Sequence, residues 1–279
     1  MLTTHVQVAT LRGHNGVVRA CQFSPDSRLI ATCSWDKTIK VYFTQNFQLA
    51  YTLQGHKFGV TDCEFSPSGS LLATTSWDDT VGLWDVETGQ LVRSLNGHSS
   101  AVSSCSFGVG GSFLASASWD GTVQVWDMST NSPAVTLIGH EESVYDVACS
   151  PVEPGILASC GRKGMVALWD ARSRGHPESF QGDQLSCFSP NGSQLASGND
   201  LCQLQLWDLQ QVKVSSFQAV TPATLSSHSG VVYGVTYSGD GAYLASCSSD
   251  LTCKIWSLAG HPAIADLADS LASMLSIGK

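Results

Sequence analysis

Charge is scarce in this sequence. Of its 279 residues only 13% are Asp, Glu, Lys or Arg, and the basic ones are the rarer: 14 Lys and Arg against 23 Asp and Glu, a net charge of −9. Nucleic-acid binding draws its affinity from clustered Lys and Arg, so this balance argues against a nucleic-acid partner. No apolar run approaches the roughly 18 residues that a membrane helix needs, and no membrane association is expected. The opening stretch MLTTHVQVATLRGH has neither a basic start nor an apolar core and does not read as a secretory signal. No two cysteines form a CxxC pair, which removes the commonest spacing for zinc ligation or thioredoxin-like redox chemistry. The ten cysteines are instead scattered through apolar stretches, as small buried hydrophobes of a chain kept reduced in the cytoplasm or nucleus. No cofactor and no metal site are expected.

What the chain does have is apolar content, glycine, tryptophan and repetition. At 43% hydrophobic it can bury a sizeable core, and its 26 Gly and 8 Trp fall in a pattern. Gly-His recurs at His14, His56, His98 and His140, each 42 residues after the last, and Ser-Trp-Asp at Trp35, Trp77 and Trp119 with the same period. Trp-Asp recurs at Trp84, Trp126, Trp169 and Trp207, with weaker members at His228 and Trp256. A period of this size marks stacked supersecondary units. Within one unit, apolar runs at Val60–Phe65, Leu71–Ser76, Thr80–Trp84 and Leu91–Leu95 are divided by turn signals such as Ser-Pro-Ser-Gly. Four short strands per unit, repeated radially, predict an all-β propeller.

These coincident motifs resemble the WD-repeat β-propeller family over nearly the whole chain, to about Leu258. Six units are legible; seven of 42 residues would exceed the chain length. The resemblance implies a closed propeller of six blades, each with four antiparallel strands, spanning residues 1–258. Val6–Leu11 reads as a fourth strand with none before it, and the last unit lacks room for its own, so this N-terminal strand is expected to complete the last blade and remove two sheet edges. In the fifth unit Asp183 follows Gly182 where His is usual, and Phe188 comes only five residues later, so the inner strand near 183–188 should be shortened. Residues 259–279 leave the pattern. Ile264, Leu267, Leu271 and Leu275 recur at helical spacing, predicting a short C-terminal amphipathic helix that docks on the propeller or on a partner.

His, Ser and Asp also invite a hydrolase reading. Yet the set is made three times, as His56, Ser76, Asp78 and Trp84, as His98, Ser118, Asp120 and Trp126, and as His228, Ser248, Asp250 and Trp256. In the resembling family such a set is a structural hydrogen-bond network within a blade, so no catalytic residue is expected. Blade one has Tyr42 in place of the Trp, and blade four, with Gly161 and Lys163 at the Ser and Asp positions, is expected to lack the network, as is blade five.

The resemblance also places the residue before the turn Asp on the top face, here Trp35, Trp77, Trp119, Arg162, Asp200 and Ser249. A second top-face position, five residues after the His, holds Arg19, Thr61, Ser103, Tyr145 and Tyr233. Trp, Tyr and Arg dominate binding hot spots. Trp35, Trp77, Trp119, Arg162, Arg19, Tyr145 and Tyr233 are therefore the candidate partner-binding residues, and a Trp arc on an acidic chain suits a basic anchor residue. The plainer alternative is that each Trp packs against the adjacent loop. A second motif, Trp169-Asp170-Ala171-Arg172, resembles the docking box of WD-repeat substrate receptors for cullin-RING ubiquitin ligases, with Asp170 and Arg172 as its polar members. A surface Arg in solvent is the plainer reading there. The function expected is a non-catalytic scaffold for a protein or peptide, as a subunit of a larger complex.

Overall fold

Each repeat folds into a sheet because its apolar residues come in six-residue runs bounded by turn-forming residues. The computed structural model describes residues 9–130, 132–172, 178–181, 185–198, 202–209, 223–226, 228–230, 232–237, 241, 243–248, 250 and 252–257. The chain divides into two compact units, 1–136 and 137–279, with three sheets to each.

In the first unit, sheet one is β1 (Val18–Phe23), β2 (Leu29–Ser34), β3 (Thr38–Phe43) and β4 (Leu49–Gln54). Sheet two is β5 (Val60–Phe65), β6 (Leu71–Ser76), β7 (Thr80–Asp85) and β8 (Leu91–Asn96), within a residue of the expected bounds. Sheet three is β9 (Val102–Phe107), β10 (Phe113–Ser118), β11 (Thr122–Asp127) and β12 (Ser132–Ile138). In the second unit, sheet four is β13 (Val144–Cys149), β14 (Ile156–Gly161), β15 (Met165–Asp170) and β16 (Glu178–Gln181). Sheet five is β17 (Leu185–Phe188), β18 (Gln194–Gly198), β19 (Gln203–Asp208) and β20 (Ala223–Ser226), and sheet six is β21 (Val232–Tyr237), β22 (Tyr243–Ser248) and β23 (Cys253–Ser257). Every sheet is an antiparallel meander in chain order. The first strand of sheet five has four residues where the corresponding strands have six.

The second strand of each sheet carries Ala at one register, as Ala31, Ala73, Ala115, Ala158 and Ala196, all with no exposed surface. A methyl-sized side chain lets the next sheet approach to packing distance. Ala31, Cys33, Ile39, Val41 and Leu53 of sheet one thus pack with Val60, Cys63, Phe65, Leu72 and Trp84 of sheet two. Sheets two and three repeat the arrangement, Ala73, Val81, Leu83 and Leu95 meeting Val102, Cys105, Phe107, Leu114 and Trp126. In the second unit Ala158, Cys160, Val166 and Leu168 meet Leu195 and Trp207. Fully burying one such side chain stabilises the fold by about 1.5–3 kcal/mol. No sheet precedes sheet one within its unit, and there Val18 and Phe23 are exposed while their counterparts Val60 and Phe65 are buried.

Sheet six has three strands among the described residues. Of the Val6–Leu11 strand expected to complete it, residues 6–8 lie outside the described residues, and Ala9, Thr10 and Leu11 are not in strand conformation. The expected tail helix, 259–279, lies outside the described residues.

Candidate functional site

The three turn tryptophans are set by one local device. The amide of Trp35 donates to the carbonyl of Val17, that of Trp77 to Gly59 and that of Trp119 to Ala101, at 2.9–3.0 Å. Each bond ties the turn between the second and third strands to the loop before the first. Sheet stacking then brings the turns side by side. The rings of Trp35 and Trp77 are 5.1 Å apart between centroids and tilted by 39°, and those of Trp77 and Trp119 are 6.3 Å apart and tilted by 49°. Their exposures are 41%, 40% and 47%. The rings pack on each other and still present nearly half of their surface to solvent, so the arc is a continuous aromatic ladder.

The second top-face position turns out to be a β-bulge. Register slips between Val18 and Ala20, between Val60 and Asp62, between Val144 and Asp146, and between Val232 and Gly234, and the skipped residues are Arg19, Thr61, Tyr145 and Tyr233. A bulge re-aims the side chain of the extra residue, and the outcome differs by residue type. Thr61 is buried and its hydroxyl bonds Thr75 and, 2.7 Å away in the next sheet, the carbonyl of Val102. Ser103 donates to the carbonyl of Ala117. Arg19 is exposed, with its guanidinium carbon 5.9 Å from the Trp35 ring centre. Beside it Lys37 Nζ lies 5.8 Å from the ring of exposed Phe58.

In the second unit Arg162 repeats the amide bond, to Ser143, and its side chain lies 3.3 Å from Glu142. Tyr145 is half-buried on β13. The side chain of Tyr233, and residues Asp200 and Ser249, lie outside the described ones.

The hydrogen bonds of the His-Asp network differ from the expected set in two respects. His56 Nδ1 lies 3.0 Å from Asp78 and its Nε2 2.8 Å from Thr74, whose hydroxyl also accepts the Trp84 indole N–H at 2.8 Å. In blade three the hydroxyl between His98 and Trp126 is Ser116, and in blade six Ser246 bridges His228 and Trp256. Ser76, Ser118 and Ser248, the expected members, stand two residues later. They accept the amide of the turn Asp at 3.1 Å and donate back to Phe58, Ser100 and Gly230 carbonyls. Alternation of period two puts both hydroxyls on one face of the strand, and only the cross-strand register decides which meets the imidazole. Blade four is a second correction: His140, Ser159 and Trp169 keep their half of the network, at 2.7 and 2.8 Å. Blade one keeps Thr32, His14 and Asp36, and Tyr42 turns its hydroxyl to the Arg12 carbonyl. In blade five Trp207 still reaches Ser197.

Electrostatics follow burial and bonding. Burial by itself would raise Asp78, but hydrogen bonds from His56, Thr80 and the Lys57 amide outweigh it and hold the carboxyl below the usual range. Asp36 and Asp120 behave alike. Burial pushes His98 down despite the Asp120 bond, and His140, with no carboxylate against it among the described residues, is pushed down to about 4. The resemblance of this set to a hydrolase triad is only topological. Ser116 has no exposed surface, and its oxygen already accepts the Trp126 N–H, so it offers no accessible nucleophile.

Arg172 is exposed, and Asp170 holds its guanidinium in a bidentate pair at 2.8 and 2.9 Å. Its charge is thus met locally, and nothing at this position favours adaptor docking. No described helix is long and apolar enough to cross a membrane.

The profile of the family described as "WD domain, G-beta repeat" matches residues 5–42, 47–85, 89–127, 131–170, 174–208 and 220–257. Among curated proteins, the "SAGA complex/transcription factor TFIID complex subunit Taf5" of Schizosaccharomyces pombe is 34% identical over 84 residues, 27% of this chain and 13% of that protein. The "Nuclear distribution protein nudF" of Aspergillus flavus is 38% identical over 78 residues, 26% of this chain and 16% of its own length. The chain therefore spans less than a fifth of these relatives. The solved structure of U3-55K superposes with a TM-score of 0.78 at 23% identity, over 88% of this chain and 79% of that one, which is a likeness of fold. Six matched repeats, each holding the first three strands of one sheet and, from the second repeat on, the fourth strand of the sheet before it, place the chain in the WD-repeat family.

Proposed function

We propose that this protein is a non-catalytic interaction scaffold that binds a protein or peptide segment across the ladder of Trp35, Trp77 and Trp119. The observation that carries this reading is the ladder itself: three contiguous indoles, each 40–47% exposed, on turns tied to rigid sheets. Contiguous exposed apolar surface marks interaction sites. Rigid turns lose little conformational freedom on binding, so most of the contact free energy appears as affinity. A basic anchor is the chemistry that exposed indoles on an acidic chain suit, and at Trp35 that place is already held by Arg19. The Taf5 relative is named as a complex subunit, which supports the same role here. The cysteines scattered through the apolar strands support a reducing compartment, cytoplasmic or nuclear.

Pull-down from a cell extract with the wild type and with Trp77→Ala/Trp119→Ala tests the reading. Partners should be lost while the melting temperature stays within a few degrees. An unchanged set of partners on a folded double variant refutes it.

A further inference from the structure

The Trp35 end of the ladder carries two exposed cations on a chain of net charge −9. Arg19 and Lys37 both lie over aromatic rings there, on Trp35 and Phe58. These four residues are contiguous: Phe58 precedes Gly59, at which a Cβ would come within 3.1 Å of Trp35, and Lys37 follows Trp35 by two residues. Both cations are exposed. Among the described residues, none of their side-chain donors, five on an arginine and three on a lysine, is bonded to protein, and neither is in an ion pair within 4.0 Å.

The nearby carboxylates are already committed. Asp36 accepts from His14, the Asn15 amide and Thr38. Asp78 does the same with His56, the Lys57 amide and Thr80. Asp62 is near enough to feel the charge of Arg19, but it accepts from the Cys63 and Cys105 amides and from Ser104.

We propose that the Trp35 end takes a carboxylate side chain of a linear acidic peptide, with an adjacent apolar residue of that peptide seated on Trp77. This rests on the ladder being the binding site, and it names what the ladder binds. Arginine pairs bidentately with a carboxylate, and such charge-assisted bonds are about twice as strong as neutral ones. The net negative charge does not override them, since charges more than about 10 Å away are largely screened at physiological salt.

A displayed library of random linear peptides, selected on the intact chain, tests the proposal. Enriched peptides should carry Asp or Glu beside an apolar residue. A synthetic peptide from the top of the selection should bind Arg19→Gln/Lys37→Gln about tenfold or more weakly, as expected for one lost charge-assisted contact. Replacing its acidic residue by the amide should cost the same against wild type and nothing further against the double variant. Peptides without an acidic residue, or equal binding to the wild type and Arg19→Gln/Lys37→Gln, overturn the acidic anchor. Trp77→Ala separates the two levels. Loss of binding in Trp77→Ala alone sinks the acidic anchor and leaves the ladder standing, while no loss in either variant, or no enrichment on folded protein, sinks both.

Discussion

Trp35 and Trp77, 42 residues apart in sequence, stand with ring centroids 5.1 Å apart because the same turn recurs on adjacent sheets. Two indoles at this distance couple electronically. Circular dichroism should therefore show a paired positive and negative band from the indole transitions, and Trp77→Phe, which breaks both ring contacts of the ladder, should abolish it. Trp84→Phe removes an indole outside the ladder and should leave the band pair in place. A spectrum indifferent to Trp77→Phe would mean that the rings do not stack in solution.

Ser116 and Ser118 offer a paired test of the corrected network. Ser116→Ala leaves the Trp126 N–H and His98 Nε2 without their shared partner in a buried site, and should cost about 1–3 kcal/mol. Ser118, equally buried itself, instead serves the Asp120 amide and the Ser100 carbonyl, backbone groups of part-exposed loops. Its alanine variant should cost less, about 0.5–1.5 kcal/mol, as an ordinary hydrogen bond. Urea unfolding of both variants measures the difference, and the reverse order would restore Ser118 as the central hydroxyl.

His140 makes stability pH-dependent. In the folded chain burial depresses it to about 4, while in the unfolded chain it takes a proton near its ordinary value of 6.5. Between those values the unfolded state binds more protons, so stability falls as pH drops from 6.5 to 4 and levels off below. His140→Gln should remove that part of the slope. Unfolding free energies measured across this interval for wild type and variant should converge toward acid, and parallel curves would rule out a neutral buried His140.

Ser27 holds φ at 59° in the turn after β1, where the corresponding turns have Gly69 at 74°, Gly192 at 67° and Gly241 at 72°. A side chain in this left-handed region costs roughly 1–2 kcal/mol, more than the roughly 0.5–1 kcal/mol of backbone entropy that glycine adds to the unfolded chain. Ser27→Gly should therefore raise the melting temperature by a few degrees. A lower value in a calorimetric scan would show that the Ser27 side chain contributes more than its strain.

The strands of sheet two could be read within a residue because their boundaries are local: alternating apolar positions end at Ser-Pro-Ser-Gly and at Trp-Asp-Asp. The division into six units could be read for the same reason, as could the tryptophans as a set. Thr74, Ser116 and Ser246 escaped, because two hydroxyls at i and i+2 face the same way and nothing local separates them. The persistence of His140 with Ser159 and Trp169 escaped as well. The strand half of the network needs only the sheet, whereas the Asp half needs the turn, and the two fail independently.

The sequence by itself determined the repeat, the all-β class and which side chains are candidates, since period and turn chemistry act over a few residues. Only the tertiary structure decided what each candidate does. Arg19 and Thr61 occupy one position of the repeat, yet Thr61 is spent on the Val102 carbonyl of the next sheet while Arg19 lies open over Trp35. Side-chain length against the spacing of stacked sheets sets that difference, and the spacing is not written in a single repeat.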